Sequence, residues 1–330
     1  MTTINLSVEE REKIFYYLSQ KKSYREIGLQ LQRSHTTISR EIKRNTTNGE
    51  YSPFRAKHQM MSRRKKCGRK NKIDNNIDLF EEVFQRIFTK WSPEQISGYL
   101  KDKYNGNLQM QISHESIYQY IYAKPKGELK KHLLKYLRQK GRKNKNRKLS
   151  HEKRGQIPDA ISIHERPEKI EGRKVPGHWE GDLIMGKDHK TALGTLVERT
   201  TRYLFIVPLK GKKAKDVREA FTEHFLDVPE ELKLSLTYDR GKEMVQHKKL
   251  TEDTGVDVYF ADPHSPWQRG TNENTNCLIR DFFPKGTDFS KVTYEEVKHV
   301  QDMLNERVRK TLNWKSPEYM FKQLIGAIKS

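Results

Sequence analysis

The apolar periodicity of this chain switches once, near residue 177, and that switch limits what each half can become. Upstream, apolar residues recur at helical spacing behind capping signals. Ser7-Val-Glu-Glu10 and Ser23-Tyr-Arg-Glu26 are capping boxes, in which the Ser side chain and the acid three residues on satisfy each other's orphan backbone donors. They predict one helix with Ile14, Tyr17 and Leu18 inward and a second with Ile27 and Leu31 inward. Ser34 caps a third, His35 to about Arg44, with Ile38 and Ile42 on one face. Downstream, His178–Met185, Thr191–Val197 and Tyr203–Leu209 read as strands, Lys213–Phe225 as a helix and Leu232–Asp239 as a strand. A short helix over 242–251, a strand Val256–Ala261 and helices at about 268–283 and 293–307 follow. Hairpin strands first, then strands alternating with helices, predict an α/β domain on a mixed sheet, preceded by all-α modules.

Three short helices with the last two joined tightly make a helix-turn-helix. Its third helix presents His35, Thr36, Thr37, Ser39, Arg40, Lys43 and Arg44 away from Ile38 and Ile42. In a major groove the N-terminal polar residues reach base edges, while Arg40, Lys43 and Arg44 meet phosphates. A generic three-helix bundle with a solvated polar face is the alternative. Trp91-Ser-Pro-Glu-Gln95 opens a further helix, and Ser113-His-Glu-Ser-Ile-Tyr118 echoes Ser34-His-Thr-Thr-Ile-Ser39. The echo predicts a second helix-turn-helix with a reading helix at roughly 114–122; packing and DNA contact are both open for it. Residues 55–72 hold nine Lys/Arg and no acid, and residues 125–154 hold thirteen Lys/Arg and two acids. The expected organisation is a helix-turn-helix domain over 1–47, a basic linker 48–73, a second helical domain 74–123, a basic linker 124–172 and a catalytic core 173–330.

Charge names the partner. With 65 Lys+Arg against 43 Asp+Glu the formal net charge is +22, an excess that repels itself unless a polyanion neutralises it. Ribosomal and chromatin proteins share this property, so it implies nucleic acid without implying a reaction. The two cysteines, Cys67 and Cys277, form no CxxC pair, which argues against a disulfide framework or a zinc knuckle. The first residues lack a basic and an apolar leader region, and no apolar run approaches membrane-spanning length. The expectation is a soluble chain of a reducing compartment, the cytoplasm, with no membrane partner.

Three carboxylates then stand out. Asp182 lies in the strand His178–Met185, Asp239 ends the strand Leu232–Asp239, and Glu273 falls early in the helix after Pro266. Strand alternation puts Ser235, Thr237 and Asp239 opposite Leu232, Leu234, Leu236 and Tyr238. Around the helix, Leu278, Ile279, Phe282 and Phe283 form the buried stripe and Arg269, Glu273, Asn276, Cys277 and Arg280 the other side. Carboxylates converging on one sheet edge repel one another unless cations sit between them. Oxygen-seeking Mg²⁺ or Mn²⁺ fits, and two such ions can activate a water or a 3′-hydroxyl and stabilise the leaving oxygen. In that arrangement Asp182 bridges both ions, and Asp239 and Glu273 each hold one.

The residues around them carry a resemblance. Gly177-His-Trp-Glu-Gly-Asp-Leu183, Thr237-Tyr-Asp-Arg-Gly-Lys-Glu243 and Asp262-Pro-His-Ser-Pro-Trp-Gln-Arg-Gly-Thr-Asn-Glu-Asn-Thr-Asn276 closely resemble the DDE transposases of bacterial insertion sequences, in the branch called the IS-thirty family. Between Asp239 and Glu273 lie 33 residues, a spacing this branch favours. The likeness extends through Ile161–Pro167, Phe282–Asp288, Leu304–Lys310 and Ser316–Glu318, and to the N-terminal module. It implies an α/β ribonuclease-H-like catalytic domain, similar to retroviral integrases, preceded by all-α helix-turn-helix DNA-binding modules. It implies hydrolysis at an element's end to expose a 3′-hydroxyl, then attack of that hydroxyl on target DNA. It further implies that the N-terminal module binds the terminal inverted repeats of double-stranded DNA, and that the active form is a homo-oligomer on paired ends. Cys277, Asp281 and Val308 depart from the family's usual residues, and none belongs to the triad.

Supporting roles are expected for His178 and Glu180, on the strand face of Asp182, either at a metal-bound water or phosphate or as a satisfied structural pair. His264 and Arg269 flank the entry to the Glu273 helix; Arg269 can orient the carboxylate or grip the scissile phosphate. Lys285 is a further DNA contact. Trp179 and Trp267 are read as packing residues. The rivals are a helix-turn-helix regulator whose core has lost its chemistry, a phage or retroelement integrase, which the missing His/Cys zinc module disfavours, and a nuclease that cuts without joining.

Overall fold

A computed structural model describes residues 5–47, 49–66, 71–123, 127–137, 157–263 and 265–329, and the chain forms two compact units, Met1–Asn71 and Lys72–Ser330. The first unit is built on α1 (Val8–Ser19), α2 (Tyr24–Gln30) and α3 (His35–Asn45), with both predicted capping boxes formed. A two-residue-per-strand hairpin, β1 (Thr46–Thr47) and β2 (Glu50–Tyr51), leads into α4 (Pro53–Lys66). Leu6, Ile14, Ile27, Ile38, Ile42, Tyr51 and Ala56 form its core. The α2–α3 turn is tight enough that a Cβ on Gly28 would lie 2.7 Å from the Arg33 carbonyl oxygen, so only glycine fits there. Arg11, 4% exposed, closes the bundle by an ion pair to Glu41 at 2.6 Å. Residues 48–73, expected as a linker, thus contain β2 and α4, which complete this unit's core instead.

The second unit begins with α5 (Ile77–Phe88), α6 (Pro93–Lys103), α7 (His114–Ala123) and α8 (Gly127–Tyr136). Their core, centred on Leu79, Ile87, Ile96, Leu100, Ile117 and Ile121, also takes in Val308 and packs against Trp314. A Cβ on Gly98 would lie 2.2 Å from the Trp314 ring, so α6 meets that tryptophan at backbone distance. Gln95 Nε2 donates to the Val308 carbonyl at 2.8 Å. The helical module expected to be a domain of its own is therefore part of the same unit as the core that follows. Of the expected linker 124–172, Gly127–Tyr136 is α8, 138–156 lies outside the described residues, and 163–165 and 168–170 are 3₁₀ turns.

That core is a five-stranded sheet of β3 (His178–Met185), β4 (Ala192–Glu198), β5 (Leu204–Pro208), β6 (Ser235–Tyr238) and β7 (Asp257–Phe260), in the order β5-β4-β3-β6-β7. The first three strands are antiparallel, and β3–β6 and β6–β7 are parallel. This is the ribonuclease-H-like arrangement, a hairpin meander extended by parallel strands through crossover helices. On one face, α9 (Ala214–Leu226), α10 (His247–Thr254) and α13 (Pro317–Lys329) bury Trp179, Leu236 and Tyr238 beneath Phe221, Phe225, Leu250 and Phe321. On the other, α11 (Gly270–Ile279) and α12 (Tyr294–Glu306) set Leu278, Ile279, Val297, Val300 and Leu304 on Ile184, Leu193, Val197, Leu204 and Ile206. The strand foreseen from Leu232 starts only at Ser235, because Pro229 opens a 3₁₀ turn, Glu230–Leu232, that uses the first leucine. Likewise α11 stops at Ile279 rather than about 283. Among the described residues no helix is long and apolar enough to cross a membrane.

Candidate active site

Strand register creates the site. On β3 and β6, which are parallel neighbours, Glu180 stands opposite Thr237, so the next inward-facing pair is Asp182 and Asp239. Asp239 follows Tyr238, the last strand residue, where the chain leaves the sheet edge. The Arg269 guanidinium lies between the two carboxylates: Nη1 is 3.5 Å from Asp182 Oδ1 and Nη2 is 3.5 Å from Asp239 Oδ2. Nη1 also donates to the Gly181 carbonyl at 2.9 Å. Asp182 Oδ2 accepts from Asn276 Nδ2 at 2.9 Å, its Oδ1 from the Leu183 N–H at 2.9 Å, and Asp239 Oδ1 accepts from the Gly241 N–H at 3.2 Å. The side chains of Asp182 and Asp239 remain 29% and 24% exposed, open to a ligand but recessed.

Glu273 occupies the first turn of α11 and is exposed. The turn itself is fastened to the sheet. The Asn272 N–H donates to Glu180 Oε2 at 2.9 Å, Asn272 Nδ2 to the Glu180 carbonyl at 2.8 Å, and Thr195 Oγ1 to Asn272 Oδ1 at 3.2 Å. Those bonds fix the direction in which Glu273 leaves the helix. Even so, no group of three His, Cys, Asp or Glu side chains among the described residues is close enough to share an ion. The fold brings Asp182 and Asp239 together and leaves Glu273 at the rim.

The electrostatics favour a cation at this edge. Burial pushes the Asp182 carboxyl above the usual carboxylate range, the Arg269 charge opposes the shift, and the Asp239 charge adds to it. Burial, followed by the Glu243, Asp182 and Asp239 charges, likewise pushes the Tyr238 phenol well up. Asn276 Oδ1 is buried beside Asp182 and has no hydrogen-bond partner among the described residues, an acceptor waiting for a donor. Two facing carboxylates, an orphan amide oxygen and an all-oxygen donor set fit a hard divalent ion such as Mg²⁺ or Mn²⁺.

The other expected site residues fall in different places. Glu180 is fully buried and ion-paired to Arg199, with Oε1 3.0 Å from Nε, and His178 is 4% exposed with Nδ1 2.8 Å from Ser235 Oγ. Both are buried, and they bond to different partners rather than to each other; Glu180 braces α11 through Asn272. Lys285 is exposed on the turn after α11. His264 lies outside the described residues. Trp179 is buried as expected, but Trp267 is 71% exposed, which corrects its reading as a packing residue. It rides on a 3₁₀ turn, Pro266–Arg269, whose backbone projects it outward. Asn272 was not foreseen, and Asn276 only as a residue on the Glu273 side of the helix; two amides four residues apart share a helix face, and that spacing was the available signal.

In the first unit, His35, Thr36, Thr37, Arg40, Lys43 and Arg44 are all exposed on α3, and Ser39 is half-buried. Thr36 is partly engaged, its hydroxyl 2.8 Å from that of the cap residue Ser34. Cys277 is exposed, one turn after Glu273.

Comparison with known proteins agrees with both units. A family model described as a helix-turn-helix domain matches residues 5–45, and one described as an integrase core domain matches residues 172–266. The transposase for insertion sequence element IS1086 of Cupriavidus metallidurans is 42% identical over 322 residues, covering 97% of this chain and 95% of that protein. Transposase InsI for insertion sequence element IS30A of Escherichia coli is 41% identical over 98% of this chain and 84% of its own length. The transposase for insertion sequence element IS4351 of Bacteroides fragilis is 35% identical over 98% of this chain and 97% of its own.

Proposed function

The chain belongs to the IS30 family of insertion-sequence transposases, and from that premise we propose that Asp182, Asp239 and Glu273 are its catalytic carboxylates. It is a DDE-type polynucleotidyl transferase with a helix-turn-helix DNA-binding unit and an integrase core. The observation that carries the assignment is the β3–β6 register, which sets Asp182 level with Asp239 at the open end of the sheet under one guanidinium.

Asp182, the more central of the pair, would hold Mg²⁺ or Mn²⁺ together with Asp239 and Glu273, two ions per site being the expected complement. When bound, such ions supply charge stabilisation at the scissile phosphate and ease deprotonation of the attacking oxygen. The chain's own residues do the positioning. Asn276 Nδ2 and the Leu183 N–H each hold one oxygen of Asp182 and so fix the plane of its carboxylate. Arg269, anchored on the Gly181 carbonyl, is set to grip a phosphate oxygen of the strand being cut. The Glu180–Asn272 bonds hold α11 in place while DNA enters. His35, Thr36, Thr37 and Ser39 read the terminal inverted repeats, Arg40, Lys43 and Arg44 meet phosphates, and Lys285 adds a backbone contact near the cleft. A homo-oligomer on paired ends brings the two cut ends to one target. The expected reaction is hydrolysis at the element end followed by transesterification into target DNA.

The test is a cleavage-and-joining assay on labelled element ends, with Mg²⁺, Mn²⁺ or EDTA. Wild type is expected to cut and join only with metal, and D182N, D239N and E273Q to bind DNA but do neither. Variants that cut like wild type overturn the triad.

A further inference from the structure

Among the described residues, Trp267 packs into none of the core clusters. The other tryptophans are buried or half-buried: Trp179 is 0% and Trp91 8% exposed, and Trp314 packs against α6. Trp267 alone is 71% exposed. An indole held in water forfeits roughly the largest burial gain any side chain offers, and it leaves a broad aromatic face free to meet a ligand.

Its mount is fastened by the two residues that follow it. Behind it, Gln268 is locked to Asp262 twice, by Asp262 N–H to Oε1 at 2.7 Å and by Nε2 to Asp262 Oδ2 at 2.8 Å. Asp262 is in turn 2.8 Å from His164 Nε2, which ties the turn to the segment before β3. Ahead of it, Arg269 is held by the Gly181 carbonyl and faces Asp182 and Asp239. Pro266 fixes the entry to the turn. The indole thus stands out from a turn braced by its neighbours, two residues from the guanidinium that marks the catalytic edge. Two residues span at most about 7 Å, which is about two nucleotide steps at 3.4 Å per strand step.

The reaction supplies the ligand. Asp182 and Asp239 are half-buried, and for a duplex phosphate to reach them its strand would have to part from its complement beside the cut, unstacking the neighbouring base. An unstacked base needs an apolar face, and an aromatic side chain provides one. We propose that Trp267 stacks on the base unpaired next to the scissile phosphate and holds the strand in the cleft. This rests on the assignment of Asp182, Asp239 and Glu273 as the catalytic set. Trp267 is then a strand-positioning residue that touches DNA, and its contact is to a base face, which makes it tolerant of sequence.

The experiment uses the full chain and a duplex carrying the element's terminal inverted repeat, with 2-aminopurine placed in turn at each position beside the cut. Fluorescence is read with Ca²⁺, without cutting, and cleavage is read with Mg²⁺. At one position the wild-type complex is expected to be quenched by the indole, Trp267→Phe to keep most of the quench, and Trp267→Ala to be bright. Cleavage by Trp267→Ala is expected to fall about 5- to 150-fold, the range for one base–aromatic stack, and to recover in part when that base is mismatched beforehand. Trp267→Ala that cuts at the wild-type rate with the same fluorescence at every position overturns the inference. So does a cleavage defect that neither changes the fluorescence nor responds to the mismatch, because the residue then only shapes the turn. A wild-type chain that binds the duplex but never cuts overturns the catalytic assignment instead; the fluorescence reading, which needs no cutting, still decides the role of Trp267.

Discussion

Removing the Arg199 side chain tests how the catalytic edge is supported. Glu180 is 0% and Arg199 3% exposed by side chain, and they meet at 3.0 Å inside the sheet–helix interface. Arg199→Met preserves volume but leaves the Glu180 carboxylate buried with only the Asn272 N–H facing Oε2. It also frees the Ile170 carbonyl, which accepts from Arg199 Nη1 at 2.9 Å. Breaking one side of a buried pair costs about 3–5 kcal/mol, whereas replacing both partners by apolar groups is often near neutral. For a unit of this size about 3–5 kcal/mol lowers Tm by roughly 6–20 °C. Urea and thermal unfolding of Arg199→Met, Glu180→Leu and the double variant, all in the full chain, measure it. The double variant is expected to be clearly more stable than Arg199→Met. It is nonetheless expected to be slow in cleavage, because the backbone of Asn272, one residue before Glu273, loses its acceptor. A single variant that loses less than about 1 kcal/mol, the value of an exposed pair, refutes the claim that this pair is buried and structural.

Gly181 separates Glu180 from Asp182, and a Cβ there would lie 2.7 Å from the Tyr238 ring. Gly181→Ala should therefore cost about 1–3 kcal/mol by overpacking and, by displacing the residue before Asp239, reduce cleavage more than DNA binding; equal losses in both assays would contradict that. Replacing Arg40, Lys43 and Arg44 together by Gln should flatten the salt dependence of end binding by roughly 0.9 in log–log slope for each phosphate no longer neutralised, read by anisotropy titrations over a range of salt. For Glu82, burial pushes the carboxyl up, but bonds from Lys103 and Tyr104 and the Arg86 charge outweigh it, so its folded pKa lies below the ordinary 4.5. Its contribution is then fully present above that ordinary value and is lost as pH falls through the folded one; Glu82→Gln should flatten the acid limb of the second unit's stability curve, measured by urea unfolding at successive pH values.

Much of this architecture was legible in the residues, for local reasons. The Ser7, Ser23 and Ser92 capping boxes formed as read, because they are satisfied within four residues and owe nothing to tertiary context. Strand alternation in His178–Met185 placed Asp182 on the face opposite Trp179, and the sheet preserves it. What the sequence hid was long-range. Nothing near Gly98 announces that Trp314 lies against it, so α5–α7 looked like a free module rather than part of the core's unit. Strand parity left Glu180 open between a ligand contact and a structural role, because nothing local shows that Arg199, on the loop after β4, takes its charge. Trp267 looked like a core residue by type, and only the 3₁₀ turn shows where it projects.

The central claim is that Asp182, Asp239 and Glu273 together hold the metal, although only the two aspartates stand together here. Mn²⁺ binding to the chain in complex with element-end DNA, counted by electron paramagnetic resonance, tests it most directly. The account predicts two bound ions for wild type, none for D182N, and one each for D239N and E273Q. Retention of both ions by D182N, or by E273Q, would contradict it.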